Sequence, residues 1–141
     1  MTGFLLDTNI PSEVIRSQPD ARVMDWVESQ DDASLYLSAV TSGELRKGLC
    51  LLPVSKRRFR LQSWLDDELV PDFEERVLPV TLSIADRWGA LSAQRQLSGR
   101  PLSMSDGLIA ATAIEHGLAV VTRNVKDFER LGVTVINPWD E

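Results

Sequence analysis

Just inside the N-terminus an apolar run, Phe4-Leu5-Leu6, stops on Asp7 and gives way to Thr8-Asn9. A run this short, bounded at once by polar residues, reads as a buried strand that delivers a carboxylate at its end. Ala119-Val120-Val121-Thr122 is a second compact buried strand, and Leu35-Tyr36-Leu37, Val77-Leu78-Pro79-Val80 and Val133-Thr134-Val135-Ile136 are also strand-like. Pro79 has no N–H to give to a ladder, so its run belongs at a sheet edge or a strand start. Segments of helical period lie between these runs. Ile10, Val14 and Ile15 define a short helix, and Val23, Met24 and Val27 a second one capped by Asp20. Leu45, Leu49 and Leu52 mark a helix ending at Pro53. A longer helix from Ser55 to Asp72 turns Phe59, Leu61, Trp64, Leu65 and Leu69 inward. Ser83 is placed to cap a helix running to Gly99, and Met104 to Glu115 is apolar nearly all round, which marks a helix packed on several sides. Alternating strands and helices predict an α/β fold, one domain over residues 1–141 with a mainly parallel sheet of about five strands flanked by helices. Ligands of such sheets sit at the carboxyl ends of strands, where Asp7 and the Thr122-Arg123-Asn124 turn lie.

Composition narrows the chemistry. No apolar run approaches the ~18 residues of a membrane span, and no basic segment followed by an apolar stretch marks the N-terminus for secretion, so a cytoplasmic location is expected. A single cysteine, Cys50, and a single histidine, His116, exclude an intrachain disulfide and argue against zinc; Cys50 reads as a small buried hydrophobe. A net charge of -6 argues against a general electrostatic grip on nucleic acid. One stretch departs from that average: Arg46, Lys47, Lys56, Arg57, Arg58 and Arg60 follow the lone acid Glu44, a candidate track for nucleic acid or an ordinary solvated face.

Four acids stand at element ends: Asp7, Glu44, Asp106 and Asp127. Three have a helix-start explanation, because Thr41, Ser103 and Asn124 each precede an acid by three positions, the spacing of a capping box, and Ser83-x-x-Asp86 has that spacing too. Asp7 is different, since it ends a strand, although it could cap a helix starting at Thr8. Asp106 opens the most apolar helix, so its carboxylate is expected near the interior. Carboxylates converging there would repel by up to ~4 kcal/mol per close pair at an effective dielectric of 20. A divalent cation relieves that repulsion, and an all-oxygen donor set suits Mg²⁺ or Mn²⁺, the ions of phosphoryl transfer.

Leu5-Leu6-Asp7-Thr8-Asn9, Ser42-Gly43-Glu44-Leu45, Asp106-Gly107-Leu108-Ile109-Ala110-Ala111-Thr112-Ala113 and Thr122-Arg123-Asn124-Val125-Lys126-Asp127-Phe128, in this order, resemble a PIN domain, and more narrowly the VapC and FitB toxins of bacterial toxin-antitoxin pairs. The resemblance runs from Asp7 to Asn137-Pro138-Trp139. It implies a Mg²⁺- or Mn²⁺-dependent endoribonuclease whose acids are Asp7, Glu44, Asp106 and Asp127. It also implies a homodimer held inactive by a small DNA-binding antitoxin. Thr8, Thr122 and Asn124 become candidates for orienting the site, and the basic stretch a candidate guide for RNA. Gly107 departs from the alanine usual in the family, at a helix-propensity cost of up to ~1 kcal/mol. A receiver domain would carry paired acids after the first strand and a dehalogenase-type phosphatase Asp-x-Asp, whereas Thr8 and Asn9 follow Asp7 here. The remaining alternative is a non-catalytic partner that binds an antitoxin and strengthens its hold on operator DNA.

Overall fold

The computed structural model describes residues 3–140. Strands β1 (Phe4–Leu6), β2 (Leu35–Ser38), β3 (Val77–Leu78), β4 (Ala119–Val121) and β5 (Val135–Ile136) form one parallel sheet in the order β3-β2-β1-β4-β5. The first strand is therefore central, with Leu5 registered against Tyr36 on one side and Val120 on the other. Parallel strands need crossovers, whose helices cover both faces, so a central strand is buried on each side. Leu5 packs on one face with Ile109, Ala110, Val120 and Phe128. Leu6 packs on the other with Ile10, Val23, Leu37 and Val121. Two-sided burial explains an apolar run without alternation. The proline-bearing run lies at an edge, as its missing donor requires.

The helices are α1 (Asn9–Val14), α2 (Ala21–Ser29), α3 (Ala39–Cys50), α4 (Lys56–Ser63), α5 (Val70–Phe73), α6 (Leu82–Leu97) and α7 (Met104–His116). A π-helical turn, Trp64–Leu69, joins α4 to α5, so the long helix expected over this region is one helical run with a wider turn inside it. Pro71 follows that turn, and a proline ring clashes with the carbonyl four residues back in a regular helix. Two packing expectations fail. Phe59 is 59% exposed, because it lies two positions before Leu61 and thus about 200° around the helix from it. Cys50, one position beyond the buried Leu49, is exposed as well.

The caps decide how the acids are to be read. The α3 helix is capped by Ser38, whose side chain accepts from the Val40 N–H at 3.0 Å, so Thr41 lies inside the helix and Glu44 in its second turn. Thr81, not Ser83, caps α6; the Ser83 hydroxyl instead donates to Glu115 at 2.6 Å. Asn124 makes no side-chain cap. Asp7 receives the N–H of Thr8, and no side chain caps α1. Of the three acids with capping-box spacing, only Asp106 has the residue three positions before it as the working cap, its N–H donating to Ser103 Oγ at 3.2 Å. Removing that cap in Ser103→Ala is expected to cost about 1 kcal/mol, seen as a melting midpoint lower by roughly 3 °C; an unchanged melt would show that the bond carries no stability.

Candidate active site

Asp7 remains in the sheet through its N–H, which donates to the Val121 carbonyl at 2.9 Å, while its side chain leaves the end of β1 only 5% exposed. Both carboxylate oxygens are held: Oδ1 accepts from the Thr8 N–H and Oδ2 from the Thr122 hydroxyl, each at 2.8 Å. The direction of the second bond is forced. Thr122 Oγ1 accepts from Asn9 Nδ2 at 3.2 Å and from the Asn124 N–H at 3.0 Å, so both its lone pairs are used and its one proton goes to Asp7. Burial raises the Asp7 pKa; the bonds from Thr122 and Thr8 lower it, and the charges of Glu44 and Asp127 raise it again.

Thr8 joins two of the acids, since its N–H serves Asp7 and its hydroxyl donates to Glu44 Oε1 at 2.6 Å. Asp106, half-buried in the first turn of α7, is also raised: first by desolvation, which the Ser103 side chain opposes at the carboxylate, then by Asp7, Asp127 and Glu44. Asp127 is exposed on a 3-10 turn, Val125–Phe128, anchored in the core by Phe128. The charges of Glu44 and Asp127 reach Asp7, and those of Asp7, Glu44 and Asp127 reach Asp106, so the four predicted acids lie near one another beyond the carboxyl ends of β1 and β4. As the side chains stand, no group of three or more His, Cys, Asp or Glu among the described residues is placed to hold a metal ion. The donor chemistry nevertheless suits a hard divalent cation, because every converging group is an oxygen. The sulfur-bearing Cys50 closes α3, and His116 lies at the opposite end of α7 from Asp106.

Thr8 and Thr122 turn their hydroxyls to the acids, Thr8 to Glu44 and Thr122 to Asp7. Asn124 contributes its backbone N–H rather than its amide. Asn9 is an unexpected member: its amide donates to Thr122 and accepts from the Arg123 N–H at 3.4 Å. Its sequence signal was its place two residues after Asp7, which only the adjacency of β1 and β4 makes meaningful.

The basic stretch divides. Arg46 pairs with Asp66, and Arg58 donates to the Leu52 carbonyl at 3.1 Å. Lys47 and Lys56 are exposed. Arg57 and Arg60 line a cleft of about 640 Å³ whose wall includes Thr8, Glu44, Leu49 and Trp64. Arg16, from α1's far end, lines it too, though its charge is engaged by Glu13 at 3.1 Å.

A parallel five-stranded sheet with an acidic cluster at its carboxyl edge narrows the candidates, and a family comparison decides among them: the PIN domain model matches residues 4–133. The chain belongs to the PIN-domain family. Within it, this PIN domain is of the VapC and FitB type. It is 43% identical over 137 residues to the VapC ribonuclease Y4jK of Sinorhizobium fredii, covering 97% of this chain and 98% of that protein. It is 39% identical over 138 residues to the toxin FitB of Neisseria gonorrhoeae, covering 98% and 99%. The crystal structure of FitAcB from the same organism superposes with a TM-score of 0.91 at 38% identity, covering 98% of this PIN domain and 99% of that chain.

Proposed function

We propose that the protein is a Mg²⁺- or Mn²⁺-dependent endoribonuclease and the toxin of a toxin-antitoxin pair, with Asp7, Glu44, Asp106 and Asp127 as its acidic site. The observation that carries this reading is the gathering of four carboxylates, one buried and one half-buried, in a domain whose relatives are named a ribonuclease and a toxin. Holding such charges together without a counter-ion is costly, which a purely structural or co-repressor role leaves unexplained. A divalent cation bound there would neutralise charge on the scissile phosphate and activate water.

The protein's own residues do the positioning. Asp7 is fixed through both oxygens and Asp106 by the first turn of α7, so these two are the principal ligands; Glu44, aimed by Thr8, and Asp127 complete the set directly or through water. Arg57 and Arg60 are placed to take RNA phosphates along the cleft toward Glu44. A homodimer, a cytoplasmic location and a cognate antitoxin that blocks the acidic site belong to the same reading. No helix among the described residues is long and apolar enough to cross a membrane.

Purified protein is expected to cleave RNA with Mg²⁺ or Mn²⁺, to stop with EDTA, and to lose activity in Asp106→Asn; cleavage indifferent to chelation and substitution would remove the assignment. Growth arrest on expression should be relieved by the same substitution. Arg57→Ala with Arg60→Ala is expected to weaken RNA binding and to flatten its log-log salt dependence by about 1.4, from about 0.7 per phosphate contact on a single strand. An unchanged slope would remove these two arginines from the RNA path.

A further inference from the structure

Arg95, in the last turn of α6, turns its side chain into the protein and is only 8% exposed. No carboxylate among the described residues forms an ion pair with it. A buried guanidinium without a counter-ion is unfavourable unless its donors are used, and here they reach backbone carbonyls. Nε donates to the Arg100 carbonyl at 2.8 Å, and Nη1 reaches those of Asp127 and Glu129 at 3.4 Å each.

These carbonyls belong to two separate segments. One leaves α6 and leads through Ser103 to Asp106; the other is the turn that carries Asp127. Near the second lies Arg130 with a φ of 62°, a backbone state that side chains disfavour and that persists only where surrounding contacts fix it. An outer ion pair, Arg100 to Glu129 at 3.7 Å, crosses the same gap. The planar fork of an arginine can hold carbonyls from both segments at once, which the single point of a lysine ammonium cannot reproduce.

We propose that Arg95 is a positioning residue for the acidic site: its guanidinium sets the spacing between the Asp106-bearing and Asp127-bearing segments and thereby the affinity for a divalent cation. The inference rests on reading those carboxylates as metal ligands. It is tested on the purified full chain, well below the melting transition, by calorimetric Mn²⁺ titration and amide hydrogen exchange of wild type, Arg95→Met, Arg95→Lys, Asp127→Asn and the Arg95→Met/Asp127→Asn double variant.

In Arg95→Met the amides of residues 125–129 should exchange faster, and Mn²⁺ affinity should fall about 10-fold, the lower end of what loss of an outer-shell partner costs. Arg95→Lys, which keeps the charge and loses the fork, should bind Mn²⁺ closer to the Met variant than to wild type; it carries the comparison by itself if the Met variant fails to fold. The double variant should bind no more weakly than Asp127→Asn alone, because both changes act through one ligand. Wild-type Mn²⁺ affinity in a folded Arg95 variant, even one with a lower melting point, would reduce the residue to fold support and overturn the inference alone. Wild-type protein that binds no Mn²⁺ would overturn the metal reading and this inference together.

Discussion

Asp7→Asn is expected to lower divalent-dependent RNA cleavage by about 10²- to 10³-fold, the range for removing one preorganised charge-stabilising group. The same substitution should also change how the metal-free protein's stability depends on pH. Burial holds the folded Asp7 pKa above its ordinary 3.8, so the native state binds this proton more tightly than the unfolded chain does. The associated stability is therefore complete below the ordinary value and is lost as pH rises through the raised one. Asn carries no such cost. The melting temperature of the variant minus that of wild type should accordingly grow as pH rises from about 4 to 7. Asp106 adds to the trend, because Asp7 is one of the charges that raise it and removing that charge relaxes it.

Mg²⁺ should reverse the comparison. A ligand bound only by the native state stabilises by about 2.7 kcal/mol at 100 times its Kd, and wild type should gain this while the variant gains far less. Differential scanning with and without Mg²⁺ across that pH range reads both the pH trend and its reversal. A melting difference flat in pH, or equal stabilisation of both proteins by Mg²⁺, would contradict the role given to Asp7.

Gly107→Ala is expected to destabilise the protein although alanine is the better helix former by up to ~1 kcal/mol. The reason is the neighbour on α6. A Cβ added to Gly107 would stand 2.6 Å from Trp88 Cδ1, 2.9 Å from Trp88 Nε1 and 3.1 Å from Leu102 Cδ2. The indole thus rests on the backbone of α7, and its buried N–H has no hydrogen-bond partner. Overpacking of this kind costs typically ~1 to 3 kcal/mol, more than the propensity gain, and relief requires the packed Trp88 indole or α7 itself to shift at the residue adjoining Asp106. A melting midpoint lower by about 3 to 10 °C is expected, with reduced cleavage. Pairing the change with Trp88→Phe, which removes the nitrogen facing Gly107, should recover part of both losses. A Gly107→Ala protein as stable as wild type would show that the indole yields freely. The glycine is therefore no simple helix weakness but the space into which Trp88 packs.

Much of the architecture was legible because it rests on local patterns. Short apolar runs mark the strands, the all-round apolarity of Leu108 to Ile114 marks α7, and the proline of Val77-Leu78-Pro79-Val80 marks the edge. Asp7 was legible for the same reason: a strand that is buried on both faces and ends abruptly on an acid announces both its place and its cargo. Helix starts were less legible. Ser38 and Thr41, or Thr81 and Ser83, are equally good caps by type, and only the backbone geometry of the preceding segment decides between them.

Sequence alone determined the α/β class, the candidate acids at element ends and the family resemblance, because each depends on residue type and order along the chain. Only the tertiary structure decided what supports that cluster. The Thr8 bond to Glu44 joins residues 36 positions apart, and the Thr122 bond to Asp7 joins residues 115 apart. The Arg95 fork and the Trp88 contact with Gly107 are likewise set by how α6 lies against its neighbours. Hydrogen bonds and close packing are short-range forces between groups that the chain brings together only by folding, so their pairings have no local pattern from which to be read.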